Sequence, residues 1–353
     1  MSPQSKHVRS LLNAEPFYDS ELGSLRKIDV DTLPILKNLS IKRLVLAPGT
    51  IREPHWHANC NELAYCLRGQ LLISILDNGN EFSSFAISAG NMFHITSGSL
   101  HYIENVGKEE AECIITFRHE KPEDFSLQAS FGAMSDAVLG NTYDQPASQW
   151  AKIARDTSPK YIVKRSGLAD FDQNDKSIHL GNAHKFDVEG MSPPIKADIG
   201  SARTARKQFW PILDNISMYS LRVEEDGMRE PHWHPETAEM GYVHQGRARM
   251  SIMDPDGSVD TYTLKPGDMY FIPRAYPHQI EVLGDEQIHF LIFFDQPTPQ
   301  DIGYRTSATL MSRNVIAATF GVEENALPIF PITTKDPLIV AKSNKLDPVI
   351  DLP

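Results

Sequence analysis

Cysteine is scarce in this sequence, and it contains neither a run of basic residues nor a long apolar run. The 3 cysteines among 353 residues, Cys60, Cys66 and Cys113, all lie in the first half. So few thiols argue against a disulfide framework. We interpret them as reduced packing residues, with a reactive thiol at Cys60 as the alternative.

Positive charge is also in short supply, since 34 Lys and Arg face 46 Asp and Glu and the formal net charge is −12. Binding to phosphate groups requires clustered basic residues, so no nucleic-acid or membrane partner is expected. Residues 1–16 are polar and the longest apolar runs are strand-sized, which argues against a signal peptide or a membrane span. These absences predict a cytoplasmic protein that acts on a small molecule.

What the sequence does contain is a repeat with an offset of 177 residues. A cluster of histidines and one glutamate occurs twice in the same spacing: His55, His57, Glu62 and His101, then His232, His234, Glu239 and His278. Loop positions follow the same offset, as Gly69 and Gly246 do. A constant offset across many loops indicates a tandem duplication, and the length suits two domains.

Short strands separated by turn residues are typical of a sandwich or a barrel. In the first half, Leu71 to Leu76 runs into the turn Asp77-Asn78-Gly79-Asn80. A short helix is predicted at 312–318 with Ser312 as its cap, and 135–139 is its counterpart in the first half. The predicted divisions are an N-terminal extension at 1–22, domains at 23–165 and 200–342, a linker at 166–199 and a tail at 343–353.

The repeated histidines are predicted to be metal ligands. Residues two apart on a strand project to one face, so His55 and His57 point together, and a hairpin returns Glu62 beside them. Ordinary core histidines are the alternative, but two complete sets in register argue against it. We assign no role to the remaining histidines, which are His7, His94, His119, His179, His184, His244 and His289.

Three neutral imidazoles and one carboxylate leave a divalent ion with a formal charge of +1 and, in octahedral geometry, two open positions. Such a site can hold water, dioxygen or a small anion. We therefore predict two Mn²⁺ ions per chain, with Fe²⁺ as second choice, while the ligand set leaves Ni²⁺, Cu²⁺ and Zn²⁺ open.

An arginine precedes the first ligand of each set by three residues, Arg52 in one half and Arg229 in the other. Guanidinium binds a carboxylate through two parallel hydrogen bonds. The repetition favours a substrate-binding role for both arginines. A surface salt bridge to Glu53 or Glu230 is the alternative.

The full spacing resembles the two motifs of the cupin superfamily, from Gly49 through the ligands to Asn105 in the first half and from His232 to His278 in the second. It departs from them at Thr96, Asp226, Ala275 and Val282, none of which is a ligand. The sequence Arg-Glu-Pro-His-Trp-His, at 52–57 and 229–234, is similar to a hexapeptide of the bicupin oxalate decarboxylase family. The likeness covers most of residues 20–340.

This resemblance implies an all-β fold of two tandem cupin (jelly-roll) β-barrels with short accessory helices. It implies cleavage of oxalate to formate and carbon dioxide with manganese and dioxygen, and both arginines would polarise the substrate. The metal ligands would be the eight repeated residues, His55, His57, Glu62, His101, His232, His234, Glu239 and His278. Helices packed between subunits would imply a homo-oligomer, a trimer or a hexamer.

One segment departs from the family. Its decarboxylases carry a mobile lid with a Ser-Glu-Asn segment whose glutamate handles the proton, and residues 118–126 stand there instead. Glu123 or Asp124 can supply a carboxyl group, with Asp301 matching Asp124 in the second half, and a solvated acidic loop is the alternative. Two other functions therefore stay open: an oxidase or dioxygenase acting on a small carboxylate, and a non-catalytic protein that binds metal or carboxylate.

Overall fold

The computed structural model describes residues 5–153, 155–167 and 176–347. They form two compact units. Within the described ranges, the first unit contains residues 11–190 and 210–213, and the second unit contains residues 5–10, 191–209 and 214–347. The linker predicted at 166–199 falls partly, at 168–175, outside the described residues, as do 348–353 of the predicted tail.

The first unit consists of two antiparallel sheets. Its strands are β2 (Tyr18–Ser20), β3 (Gly23–Ile28), β4 (Ser40–Leu46), β5 (Thr50–His57), β6 (Glu62–Arg68), β7 (Gln70–Leu76), β8 (Phe82–Ser88), β9 (Asn91–Ile95), β10 (Leu100–Asn105), β11 (Ala111–Phe117), β12 (Asp124–Ser126), β13 (Ile162–Lys164) and β14 (Lys185–Asp187). One sheet has the order β14-β9-β6-β11-β4-β3-β2. The other has the order β12-β5-β10-β7-β8, with β13 also paired to β5.

The second unit repeats this arrangement. Its strands are β1 (Val8–Ser10), β15 (Ile195–Ala197), β16 (Gly200–Ala205), β17 (Ser217–Val223), β18 (Gly227–Trp233), β19 (Glu239–Gln245), β20 (Arg247–Met253), β21 (Val259–Leu264), β22 (Asp268–Ile272), β23 (His278–Leu283), β24 (Ile288–Phe294), β25 (Ile302–Gly303) and β26 (Ile339–Ala341). The sheet orders are β1-β22-β19-β24-β17-β16-β15 and β21-β20-β23-β18-β25, with β26 paired to β18. The predicted all-β fold with two barrels is confirmed.

The repeat reaches one strand further than the sequence suggested. Strand β14 begins 177 residues after β1, and the two strands pair with equivalent neighbours, β9 and β22. Each half of the sequence therefore contributes its first strand to the unit built mainly from the other half. These strands lie in the predicted N-terminal extension and in the predicted linker.

Alternation of side chains fills the interior of each unit. In β7, Leu71, Ile73 and Ile75 join the hydrophobic core of the first unit. Gly69 makes the tight turn from β6 into β7, since its φ is +88° and a Cβ there would lie 2.5 Å from the Ala111 Cβ. This turn keeps the strand that carries Glu62 in register with the core.

In the part of the chain that the structure describes, four short α-helices follow the barrel strands: α1 (Leu127–Ala133), α2 (Asp136–Thr142), α3 (Tyr304–Leu310) and α4 (Arg313–Phe320). Helices lie at the two predicted places, as α2 and α4, but the side chain of Ser312 makes no capping hydrogen bond at the start of α4. Ser135 caps α2, because its hydroxyl accepts a hydrogen bond from the backbone N–H of Val138 at 3.2 Å. Short 3-10 turns cover Asn78–Asn80, Ala147–Trp150, Lys176–His179 and Glu324–Ala326. Among the described residues, every helix is too short or too polar to cross a lipid bilayer.

Candidate metal centres

Three strands of the first unit bring four donor side chains together. His55 and His57 lie on one face of β5, Glu62 begins β6, and His101 on β10 pairs directly with His55. All four are buried, and one donor atom of each lies within 4.8 Å of the others. Trp56 points away from the cluster and stacks on Phe125.

The outer nitrogen of each imidazole is held by a hydrogen bond. Nδ1 of His55 donates to the Glu53 carbonyl at 2.7 Å, and Nδ1 of His101 donates to the Ser99 carbonyl at 2.9 Å. The corresponding atom of His57 meets the carboxylate of Asp124 at 2.8 Å. Such outer partners orient metal-binding imidazoles so that the Nε2 atoms face the ion.

The second unit builds an equivalent centre from His232, His234, Glu239 and His278, all buried and again within 4.8 Å. Their Nδ1 atoms meet the carbonyl of Glu230 at 2.8 Å, the carboxylate of Asp301 at 2.8 Å and the carbonyl of Tyr276 at 2.9 Å. One difference concerns the ligand carboxylate. The hydroxyl of Tyr270 donates to Oε1 of Glu239 at 2.7 Å, whereas the matching residue of the first unit is Phe93.

The electrostatics of the two centres suit a cation. Burial, assisted by the nearby arginines, holds the pKa of His55 and His232 well below the ordinary histidine value, which favours the neutral imidazole that metals bind. Burial alone would raise the pKa of Glu62, but the imidazoles of His101 and His57 lower that pKa below its usual range. This carboxyl group is therefore ionised.

The second histidine of each centre, His57 or His234, also suits a cation site. Burial opposes charge on His234, yet hydrogen bonds to Asp301 and Glu239 raise its pKa to about 9, and the pKa of His57 is raised for the same reason. Nε2 of His57 lies 2.7 Å from the Glu62 carboxylate. Metal binding displaces such a proton, because ligation requires the neutral ring.

Buried polar atoms without partners point into both centres. Oε1 of Glu62 makes no hydrogen bond with any described residue, and Nε2 of His101 and Nε2 of His278 lie 3.4 and 3.5 Å from a ligand carboxylate oxygen without hydrogen-bond geometry. Leaving such atoms unsatisfied costs about 1–3 kcal/mol each. A divalent cation bound by three imidazoles and one carboxylate satisfies them, so the residues present fit a metal.

The surroundings of the two centres differ in size and charge. A cavity of about 360 Å³ opens beside His55, and its other lining residues include Lys42, Arg52 and Asp124. Beside the second centre the cavity measures about 30 Å³, and aliphatic side chains supply half of its lining residues. Small-molecule sites usually measure about 300–1,000 Å³. Of the two cavities beside the metal centres, the first reaches that size and the second does not.

The structure places the predicted arginines beside the centres. Arg52 is buried, and its guanidinium donates to the carbonyl of Tyr161 at 3.3 Å and to Asp124 at 3.4 Å. Arg229 makes the equivalent contacts with Leu338 and Asp301. Neither arginine lies on the surface, so a simple surface salt bridge does not describe them.

Of the two predicted lid carboxylates, Asp124 faces the first centre and Glu123 does not. The Asp124 side chain is 22% exposed and contacts Lys42 at 2.8 Å as well as His57 and Arg52. Although burial opposes ionisation, Lys42 and His57 hold the pKa of Asp124 far below its usual range. Glu123 is exposed and is not among the residues that line the first cavity.

Sequence reasoning missed Lys42, which lies on β4, outside the motifs. The signal was available in the repeat, because the matching residue of the second half is Tyr219. It also missed the relation between His7 and His184, which are 177 residues apart. Nδ1 of His7 donates to the Phe271 carbonyl at 2.8 Å, and Nδ1 of His184 donates to the His94 carbonyl at 2.9 Å.

Two other candidate sites have simple explanations. His7, Asp254 and Asp260 bring donor atoms within 4.8 Å of one another, but the Lys6 ammonium lies 3.1 Å from Asp254 and supplies a positive charge there. All three cysteines are free and buried, and burial raises the pKa of the Cys60 thiol to about 12. A reactive thiolate at Cys60 is therefore disfavoured.

Comparison with known proteins agrees with the geometry. The family model described as Cupin matches residues 9–149 and 189–327. The oxalate decarboxylase OxdC of Bacillus subtilis is 26% identical over 330 residues, which cover 92% of this chain and 84% of that protein. A probable oxalate decarboxylase of Arthroderma benhamiae is 24% identical over 91% of this chain and 79% of its own length.

Solved structures show the same fold. The Bacillus subtilis oxalate decarboxylase at pH 4.6 superimposes with a TM-score of 0.83 at 23% identity, covering 97% of this chain and 89% of that one. Another structure of that enzyme, with the same TM-score, concerns its Mn(II) centres. The chain therefore belongs to the cupin family, with two cupin domains, and the bicupins that it resembles over most of its length are oxalate decarboxylases.

Proposed function

We propose that this protein is a metal-dependent enzyme that cleaves oxalate to formate and carbon dioxide in its first unit. The observation that carries the proposal is the first centre itself: three histidines and Glu62 beside Arg52, opening on a cavity of about 360 Å³ that admits a small carboxylate. The relatives of the protein support the proposal, because the matches that cover most of its sequence are to oxalate decarboxylases.

Manganese is the metal we propose for both centres, with Fe²⁺ second. The donor set of three imidazoles and one carboxylate suits it, and the Mn(II) centres of the Bacillus subtilis enzyme support it. When bound, such an ion supplies vacant coordination positions and one-electron redox chemistry. In the second unit, where the cavity is small, we propose a mainly structural role for the metal.

Arg52 is the residue that we propose binds the substrate. Its guanidinium is buried and lines the cavity beside His55, and a guanidinium can bind a carboxylate through two parallel N–H donors. Burial strengthens this interaction because little water screens it. Cleavage of the carbon–carbon bond releases carbon dioxide, and the remaining fragment takes up one proton to become formate.

A second function, oxidation of oxalate, is favoured by the state of Asp124. Its carboxylate is ionised and bound by Lys42, Arg52 and His57, so it is a poor proton donor. Without a donor the fragment is oxidised instead: oxalate, two protons and dioxygen give two carbon dioxide and one hydrogen peroxide. Glu123 is the remaining lid carboxyl, and reaching the cavity requires the loop to move.

Product analysis on manganese-loaded protein with oxalate tests these alternatives. Formate in equal amount to carbon dioxide supports decarboxylation, whereas peroxide without formate supports the oxidase. Oxalate binding without either product supports a binding protein and contradicts both enzymatic proposals. Arg52→Lys is expected to reduce kcat/KM at least about tenfold, with Arg229→Lys beside the small cavity of the second unit as the matched control.

A further inference from the structure

Resting on the proposed function, we infer that the first cavity is built for a dicarboxylate longer than oxalate. One carboxylate would lie at the metal centre against Arg52, and Lys42 and Lys27 would bind the other. Carbon atoms between the two carboxylates would then lie against the apolar wall of the cavity.

The first observation is a pair of lysines that face each other across two strands. Lys27 on β3 is the direct partner of Lys42 on β4, and both line the first cavity. Like charges directly opposite in a sheet are destabilising. Ion pairs with Asp29 and Asp124 offset part of that repulsion, and an anion bound by both ammonium groups would offset it further.

Both lysines keep donors for such an anion. The ammonium of Lys42 donates to Asp124 and lies 4.4 Å from the centre of the Phe117 ring, and that of Lys27 lies 2.6 Å from Asp29. An ammonium group has three N–H donors, so each lysine retains capacity for a carboxylate.

The charged residues also define a direction from the metal to solvent. The side chains of Arg52, Lys42 and Lys27 are 7%, 9% and 41% exposed. Arg52 and Lys42 contact the same oxygen of Asp124, at 3.4 and 2.8 Å, so they are close neighbours. Positive charge therefore continues from the metal centre to the mouth of the cavity.

Charge on the cavity wall agrees with a dianion. Apart from the metal ligand His55, the charged lining residues are three bases, Lys27, Lys42 and Arg52, and one acid, Asp124. Two acids, Glu53 and Asp29, pair with Arg52 and Lys27 without lining the cavity.

The second unit lacks this arrangement. Thr204 and Tyr219 are the strand partners at the positions of Lys27 and Lys42. Its small cavity is lined by one base, Arg229, and one acid, Asp301, besides the metal ligands. Of the two metal centres, the lysine pair accompanies the one with the larger cavity.

Size and polarity point to a substrate with a carbon chain. The cavity of about 360 Å³ is large for the six heavy atoms of oxalate, since comparable cavities hold much larger ligands. Phe17, Pro122, Pro159 and Tyr161 line it along with the bases. Carbon atoms of a longer dicarboxylate can bury apolar surface against these side chains.

Calorimetric titration of the manganese-loaded protein with acetate, oxalate, malonate and succinate tests the inference without depending on turnover. We expect succinate or malonate to bind at least about tenfold more tightly than acetate, because a second charged contact contributes that much. Lys42→Gln should weaken succinate at least about tenfold, and should weaken it more than oxalate. Lys27→Gln, at the mouth, should act in the same direction, while Lys108→Gln on an exposed loop should match the parent.

The outcomes separate this inference from the function on which it rests. If oxalate binds and the longer dicarboxylates bind no better than acetate, the inference is wrong and the proposed function stands. If no carboxylate binds the loaded protein, both fail. Equal weakening of oxalate and succinate by Lys42→Gln, with metal content and circular dichroism unchanged, would also refute the role given to Lys42.

Discussion

Single substitutions separate the two centres, although their ligands are identical. Where the second unit has Tyr270, which donates to the ligand carboxylate, the first has Phe93 and leaves Oε1 of Glu62 without a partner among the described residues. Where the first unit has Lys42, the second has Tyr219. The duplication thus kept the donors and changed what surrounds them.

Removal of one ligand carboxylate should affect one centre only. Glu62→Ala deletes the anionic donor of the first unit, so metal content should fall from about two ions per chain to about one. Elemental analysis after dialysis measures this, and Glu239→Ala is the matched variant of the second unit. Loss of both ions from either variant would contradict independent centres.

The Asp124 carboxylate, which binds Nδ1 of His57, should affect the metal affinity of the first centre. Asp124→Asn keeps the shape but removes the charge that holds Nδ1, and such changes usually cost about 10–100-fold in metal affinity. Competition with a coloured chelator measures the affinity, and Glu123→Gln on the exposed neighbour is the control. Equal affinities in the two variants would assign Asp124 no positioning role.

A buried histidine of the second unit should make the protein less stable in acid. Burial and nearby Arg222 lower the pKa of His289 to about 2, so the folded state keeps it neutral while the unfolded chain protonates below about 6.5. The unfolded state binds more protons. The contribution of His289 to the free energy of unfolding is therefore fully present above the unfolded pKa of about 6.5, and it falls as the pH decreases below that value. Between pH 7 and 5 the loss reaches at most about 2 kcal/mol.

Urea unfolding at both pH values measures this loss. His289→Gln should show a smaller difference between pH 7 and 5, whereas His179→Gln, which changes an exposed histidine, should retain the full difference. An identical pH dependence in His289→Gln and the parent would mean that His289 is not the group responsible.

At the scale of elements, the sequence predicted the strands that carry ligands but not the exchanged ones. Alternation and turn residues define β7 and the ligand strand β5 locally. Strands β1 and β14 have three residues each and pair with partners far along the chain. Their pairing depends on contacts that no local pattern encodes, although the 177-residue spacing of His7 and His184 was visible.

The same reasoning explains what was missed at the site. Spacing and strand parity place the four ligands of each centre because the motif is local. The contacts of Asp124 with His57 and Lys42 join β12, β5 and β4, and so they require the tertiary structure. Cavity size likewise depends on many side chains from several strands.

The histidine of each exchanged strand should hold that strand in place. His7→Ala removes buried hydrogen bonds to the Phe271 carbonyl and Asp254, at a cost of about 1–3 kcal/mol. Peptide-resolved hydrogen exchange should show faster exchange in β22 of the second unit. His184→Ala is the matched variant and should loosen β9 of the first unit; uniform exchange throughout the chain in both variants would contradict this local role.

For the whole molecule, a homo-oligomer stays a prediction, and the helices supply the surface that supports it. Leu310 in α3 and Phe320 in α4 are 67% and 65% exposed, and Met134, directly after α1, and Val138 in α2 are also exposed. Large apolar side chains that are exposed together on short helices support an association site, because contiguous exposed apolar surface is typical of such sites. Every one of these residues lies in or beside a helix and outside the barrel strands.

Charge placed on this surface should therefore break the assembly without disturbing the metal centres. We expect the parent to elute as an oligomer in light-scattering chromatography, and Leu310→Lys with Phe320→Lys to elute as a smaller species with unchanged metal content. Phe82→Lys, at an exposed residue on β8, is the control and should leave the mass unchanged. If the parent elutes as a monomer, the predicted homo-oligomer is wrong, and the exposed apolar side chains of the helices do not mediate association between copies of this chain.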